Sequence, residues 1–297
     1  MSPPTDPRTI RGGVPALRAP EQAQNDVLVL ILDSCRYDTL VRADLPSLRA
    51  LGPIQRRFSY ATWTAPSHYN LLMGLLPFPA VGGPPHLATT AAVSAWPERL
   101  GLPDTPGGFT AMLPSLWLPD WLGALGMECH ARVSMPVLNP ATPLNRGFHS
   151  FVQADHHNDL HSIVDTVSFV PGRPRFWLIN TGETHYPYVG KGDAAPDLPH
   201  LPGLNGVFRA LSEGRAITVG GAFSPELLRD LHARQVHAAR NLDGAIQRLL
   251  DMAPAGTRVI VTSDHGELFG EAGLFGHGPV PHDKVLEVPY VEGTVSS

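Results

Sequence analysis

Carboxylates and imidazoles recur at the ends of three short apolar runs. VLVLIL (Val27–Leu32) runs into Asp33 and Ser34, and FWLI (176–179) runs into NTGETH, which brings Glu183 and His185. RVIV (258–261) runs into TSDHGE, which brings Asp264 and His265, and His277 follows in GHG. Such side chains are suitable ligands for zinc or manganese. Asp264 and His265 are adjacent on a tight strand exit, where both can turn toward one ion. Taken singly, each of these residues is as well a cap or a surface group. Three strand ends of the same kind are hard to ascribe to packing.

Thr64, in TAPSH, is the other chemical candidate. It opens a short apolar helical stretch and has two readings. One is an N-cap that accepts from the first free backbone N–H groups, with Pro66 supplying a helical φ. The other is a nucleophile, held where a helix N-terminus favours negative charge. The segment by itself leaves both open.

Chemistry at these positions needs a frame that gathers strand ends. Helical patterns separate the apolar runs: 116–126 reads as a helix stopped by glycine, and 128–134 as the next strand. A long helix starts with Ser224 as N-cap and Pro225 at the first helical position. Leu227, Leu228, Leu231, Val236, Leu242, Ile246, Leu249 and Leu250 recur on it at helical spacing, and Pro254 closes it. Strands apolar on both faces, alternating with helices, predict an α/β fold with a mostly parallel central sheet and helices on both faces. In such sheets ligands bind outside the carboxyl ends of the strands.

The 297 residues are 43% hydrophobic and 16% charged, with a formal net charge of −5. That is enough to fill a core, and no basic stripe suggests nucleic acid. Cys35 and Cys129 form no CxxC pair, which argues against a disulfide framework or a thiolate zinc site. The first 25 residues lack periodicity and are broken by proline, so 1–25 is expected as a flexible arm. No secretory h-region and no membrane-length apolar run is visible, so the expectation is a cytoplasmic chain with no membrane partner. DHHNDLH (155–161) is rich in potential ligands but lacks strand alternation, which predicts a solvated loop. Residues 190–222 predict an insertion that shapes the mouth of a pocket.

TSDHGELFGEAGLFGHG closely resembles the metal-binding signature of the alkaline phosphatase superfamily, in its sulfatase and phosphodiesterase branches. DVLVLILDSCRYDTL resembles the first strand of that family with its metal-binding aspartate. LPDWLGALGMECHARVSMPVLNPATPLNRGFHSF is similar to its helix–strand unit ending in GF-x-x-F, and INTGETHYPY to the segment with a substrate-contacting histidine. ARNLDGAIQRLL and HDKVLEVPYV resemble the helix before and the strand after the signature. These segments cover most of 26–291 in the family's order. The resemblance implies one alkaline phosphatase-like catalytic domain over 26–297, without the smaller C-terminal sheet domain of many relatives.

In sulfatases the position of Thr64 is a cysteine or serine oxidised to formylglycine. Threonine cannot follow that route, because its Cβ methyl would make the product a ketone. T-x-P-x-H-Y followed by G-L-x-P is instead similar to the nucleotide pyrophosphatase/phosphodiesterase branch, where an unmodified threonine attacks phosphorus. Lipoteichoic acid synthases and phosphoethanolamine transferases also use threonine. The resemblance thus implies a phosphate-ester hydrolase or transferase that works through a phosphothreonine intermediate. Its metal ligands are Asp33, Thr64, Asp264 and His265, with zinc or manganese as the ion and His277 as a further candidate ligand. His185 and His277 join Thr64 as catalytic candidates, and the substrate is a small phosphate or sulfate ester. Two departures bear on this. The extra Asp-x-x-x-His pair of the two-zinc branch is matched here by Thr181 and His185, with Glu183 between them, and Ser34 stands where calcium sulfatases have a second aspartate. Alternatives are a sulfate or phosphonate ester hydrolase, and a superfamily member that binds metal or ligand without turnover.

Overall fold

A computed structural model describes residues 22–79, 91–92, 95–102, 117–190, 192–193 and 224–296. Ten strands are assigned within them: β1 (Val27–Leu32), β2 (Gln55–Phe58), β3 (Phe78–Pro79), β4 (Glu128–Val133), β5 (Ser150–Gln153), β6 (Arg175–Thr181), β7 (Arg258–Thr262), β8 (Leu268–Phe269), β9 (Phe275–Gly276) and β10 (Glu287–Thr294). Eight form one sheet in the order β3-β2-β10-β7-β1-β6-β4-β5, and β8 and β9 form a separate small hairpin. The five strands from β7 to β5 run parallel; β10, β2 and β3 add an antiparallel flank. The expected mostly parallel α/β sheet is therefore present, with an antiparallel margin.

β1 shows why the run VLVLIL is apolar without alternation. Val27, Val29 and Ile31 pack on one face with Leu72, Trp96 and Leu122. Leu28, Leu30 and Leu32 pack on the other with Leu40, Leu48, Ile246 and Leu249. Successive side chains point to opposite faces, and here both faces are covered by helices.

Element boundaries differ from the sequence pattern in two places. FWLI is the middle of a seven-residue strand, because Arg175, Asn180 and Thr181 also enter the ladder. The helix expected over 224–254 is two helices, Pro225–Asn241 and Asp243–Met252. They meet at Leu242, whose N–H donates to Ala239 O (3.1 Å) in a tightened turn. The side chain of Asp243 then accepts from Ser47 N (3.0 Å), tying the second helix to Pro46–Leu51. Of the expected N-terminal arm, 1–21 lie outside the described residues. Ala23 is buried, and its N–H donates to Leu125 O (3.0 Å). The expected insertion over 190–222 lies almost wholly outside the described residues.

Register sets the carboxyl edge. Leu32 pairs with Thr181 and Ile31 with Thr262, so β1, β6 and β7 end at the same level. On the far flank, the helix Pro46–Leu51 closes directly on β10. A Cβ on Gly293 would lie 2.2 Å from Leu51 O. Gly293→Ala is therefore expected to destabilise the chain by about 1–3 kcal/mol through overpacking. Urea unfolding monitored by circular dichroism checks this; an unchanged midpoint would mean that the helix yields freely.

Candidate active site

Asp33, one residue beyond β1, is fully buried. Its N–H donates to Thr181 O (2.9 Å), and Thr184 Oγ1 donates to its carbonyl (2.7 Å), so the turn is fixed against the end of β6. Ser34 then adopts φ 59°, a left-handed conformation unusual for a residue with a side chain. Two bonds hold it there: its N–H donates to Asp264 Oδ1 (3.1 Å), and its carbonyl accepts from Gln235 Nε2 (2.9 Å). Gln235 also donates to Thr184 O (2.9 Å), so one buried amide from the long helix braces both exits.

Asp264 has two unlike oxygens. Oδ1 accepts from Ser34 N, His265 N (2.9 Å) and Ser263 Oγ (3.4 Å). Oδ2 is buried without a hydrogen-bond partner. It lies 3.4 Å from His265 Nε2, which in turn is 3.9 Å from Asp33 Oδ1. His265 Nδ1–H donates to Gly266 O (2.9 Å), which fixes the tautomer and leaves the Nε2 lone pair toward the carboxylates. Gly266 is required here, since a Cβ would sit 2.2 Å from Lys284 O. Asn180 Nδ2 donates to Asp33 Oδ2 (3.0 Å). Among the described residues, Asp33, Asp264 and His265 form the group whose donor atoms all lie within 4.8 Å of one another.

Thr64 is the first residue of the helix Thr64–Leu72; Trp63 is its N-cap. The hydroxyl is 3.4 Å from Asp33 Oδ1 and 3.3 Å from His265 Nε2, facing the carboxylate group. Of the two readings of TAPSH, the capping one therefore fails: the cap position belongs to the preceding residue. His68, one turn on, donates from Nδ1 to Thr64 O (2.9 Å), and its buried Nε2 has no hydrogen-bond partner. Its Nδ1 lies 3.8 Å from Asp264 Oδ2.

His277 is buried and its ring centroid lies 4.3 Å from that of His265 and 5.4 Å from that of His185. Its Nδ1 is 2.9 Å from Glu267 Oε1, and Tyr188 Oη donates to Glu267 Oε2 (3.1 Å). His185 is half-buried at the same edge, with Nδ1–H donating to Tyr186 O (3.0 Å). Glu183 faces elsewhere: Oε1 accepts from Leu160 N (2.7 Å) and Oε2 from Thr181 Oγ1. The DHHNDLH segment is tied to the site's margin through its backbone, since His157 O accepts from Gly182 N (2.8 Å). Asp159 caps the helix Leu160–Val164.

The sequence motifs contain His68, Asn180 and Glu267 but assign them no role, and Gln235 lies outside every motif. Glu267 was legible in principle, being part of the SDHGE run. Gln235 carries only a weak signal, a polar residue on the buried face of an amphipathic helix.

Electrostatics give this group a common problem. Burial raises the pKa of Asp33, and the nearby Asp264 raises it further. Burial pushes Asp264 up to about 6, and it pushes His265 down to about 3, assisted by the neighbouring His277. Two buried carboxylates, an open carboxylate oxygen and a neutral imidazole nitrogen aimed at them make a donor set suited to one divalent cation. The Thr64 hydroxyl completes four donors, so these residues fit the metal that the sequence resemblance implies.

No protein-family model matches the chain, and no curated protein sequence matches it. Solved structures are similar in fold. They include the C-terminal periplasmic domain of EptC from Escherichia coli in complex with Zn, at 13% identity and TM-score 0.53 over 93% of this chain and 74% of that one. The phosphonate monoester hydrolase of Silicibacter pomeroyi shares 17% identity at TM-score 0.53, over 91% and 68%. A 2-O GAG sulfatase shares 14% at TM-score 0.54, over 91% and 64%. The E. coli domain corrects the cytoplasmic setting expected above, because a chain of this fold works in the periplasm. Cys35 and Cys129 are free and buried, and burial raises both thiols, Cys129 to about 12, as expected of inert packing cysteines. Among the described residues, no helix is long and apolar enough to cross a membrane. Sheet order, helices on both faces and these likenesses together give the chain an alkaline phosphatase/sulfatase-like fold.

Proposed function

We propose that the chain is a metal-dependent hydrolase or transferase of phosphate esters with Thr64 as its nucleophile. The observation that carries this is the placement of the Thr64 hydroxyl, turned from its own helix onto Asp33 and His265. Zinc or manganese held by Asp33, Asp264, His265 and Thr64 would, when bound, favour the Thr64 alkoxide at neutral pH. Thr64 Oγ1 forms a bond to phosphorus as the ester P–O bond opposite it breaks, leaving a phosphothreonine and the departing alcohol. In the first turn of the Thr64–Leu72 helix Pro66 has no N–H and Ser67 N donates to Trp63 O (3.3 Å), which leaves the Thr64 and Ala65 N–H groups to suit the negative phosphoryl oxygens. His185 and His277 stand as the groups that stabilise charge on those oxygens or protonate the leaving alkoxide. Water then frees Thr64 in hydrolysis, or an acceptor alcohol does so in transfer. The phosphonate hydrolase and sulfatase of like fold support sulfate and phosphonate esters as the second substrate reading.

Thr64→Ala is expected to lower turnover of bis(para-nitrophenyl) phosphate by about a thousandfold or more. Its thermal stability should stay within about 1 kcal/mol of wild type, since no cap is lost. Thr64→Ser should keep part of the rate, and mass spectrometry of quenched wild-type reactions should find a phosphoryl group on the Thr64 peptide. Near wild-type rate in Thr64→Ala rules out covalent catalysis by this residue. The same assay with aryl phosphate, phosphonate monoester and aryl sulfate ranks the substrate readings.

Chelation should abolish activity, with zinc or manganese restoring it better than calcium, because the donor set contains an imidazole. One equivalent of metal should survive exhaustive dialysis in both wild type and His277→Ala. Reactivation by calcium alone counts against the assignment. Two equivalents in wild type falling to one in His277→Ala would make His277 a ligand.

A further inference from the structure

Arg36 is almost completely buried, yet it takes no part in the chemistry proposed above. Its guanidinium grips Asp38 through two bonds, Nε to Oδ1 and Nη2 to Oδ2, both 2.7 Å. The remaining nitrogen, Nη1, reaches across to the 267–277 segment: it donates to Glu271 Oε1 (2.7 Å) and to Glu267 O (3.4 Å). Glu271 Oε2 accepts from Phe269 N (2.6 Å), so the carboxylate ties Arg36 to the backbone of β8. Phe269 lies under the same guanidinium, 5.4 Å from its ring centroid, and stacks on His232 at 4.8 Å. This anchoring is local to the hairpin, and the hairpin is short: two residues in each strand, with Gly270 and Ala272 at positive φ. A two-residue ladder cannot hold its own geometry in water.

We infer that Arg36 and Glu271 are positioning residues for His277, pinning the β8–β9 hairpin to the turn that carries Asp33. Arg36 lies three residues after Asp33. The segment that places one candidate ligand thus also fixes the excursion that begins at Glu267 and returns at His277. Glu267 meets His277 at 2.9 Å, so a shift of either hairpin end alters the imidazole's placement. A guanidinium suits this role better than an ammonium, because its planar fork engages two carboxylates and a carbonyl in fixed directions. The inference rests on the reading in which His277 acts on the phosphoryl group or leaving alkoxide.

The test is a double-mutant cycle on the full chain, with bis(para-nitrophenyl) phosphate as probe. His277→Ala is expected to lower kcat by about a hundredfold, the scale of a general acid. Glu271→Gln, which keeps the shape and removes the charge, should lower kcat by about tenfold with bound metal unchanged. The double variant should be no slower than His277→Ala alone, because coupled residues do not add. Arg36→Lys should behave as Glu271→Gln, and Glu271→Asp should recover less than the wild-type rate. The His277 imidazole signals, assigned by their loss in His277→Ala, should shift or broaden in Glu271→Gln. Additive losses, or unmoved His277 signals in Glu271→Gln, overturn the inference. Wild-type turnover in His277→Ala would overturn instead the catalytic reading of His277, and the imidazole signals would still decide the positioning.

Discussion

Asp33 and Asp264 are both buried, and among the described residues no arginine or lysine pairs with either carboxylate. Burying one carboxylate anion is costly, and a second nearby raises the cost. The surroundings respond in two ways. Donors from Ser34, Ser263 and His265 meet Asp264 Oδ1, Asn180 meets Asp33 Oδ2, and the Ser34 and Thr64 hydroxyls approach Asp33 Oδ1. What they leave, Asp264 Oδ2, points where His265 Nε2 also points. A site so built is strained as a set of anions and well matched to a cation, so the remaining features follow from keeping it in place.

Keeping it in place is a matter of register. The site draws on the ends of β1 and β7 and on the helix Thr64–Leu72, and Asn180 on β6 holds the Asp33 carboxylate by donating to Oδ2. A one-residue slip of β1 against β6 would turn Asp33 into the opposite face. The slip is opposed by the two-sided burial of Val27–Leu32, since both hydrophobic clusters would lose their partners together. Core packing and site geometry are therefore one constraint. Gln235 adds to it by crossing from the long helix to the exits of both β1 and β6.

This division explains what could be read from the sequence. Strand ends with acids and imidazoles are local patterns, and Asp33, Asp264 and His265 meet as their shared position predicts. The mostly parallel sheet follows from uniformly apolar runs. The antiparallel margin was less visible, because QRRF (β2) is polar at one end and pairs through β10, more than two hundred residues away. Thr64 was ambiguous because a cap and a nucleophile occupy adjacent helix positions; the choice depends on where the chain before it turns. Glu183 looked like a ligand by spacing, but its oxygens are taken by Leu160 N and Thr181 Oγ1. Such partner choices link residues far apart in the chain, and no window of sequence contains both ends.

The same constraint bears on how so similar a fold can persist at 13–17% identity. Core positions ask only for apolar volume, and volume-conserving exchanges there cost little. Most bonds that orient the site residues run to or from backbone: Ser34 N, Thr181 O, Gly266 O and Thr64 O place Asp264, Asp33, His265 and His68 in turn. Backbone partners are indifferent to side-chain identity, so they survive substitution as long as register survives. What this chain cannot exchange without disturbing the site is small: the carboxylates, the imidazole beside them, and Gly266, where the Lys284 carbonyl excludes a side chain. A site held by register and main chain needs few fixed side chains, and in this chain those few stand at the strand ends.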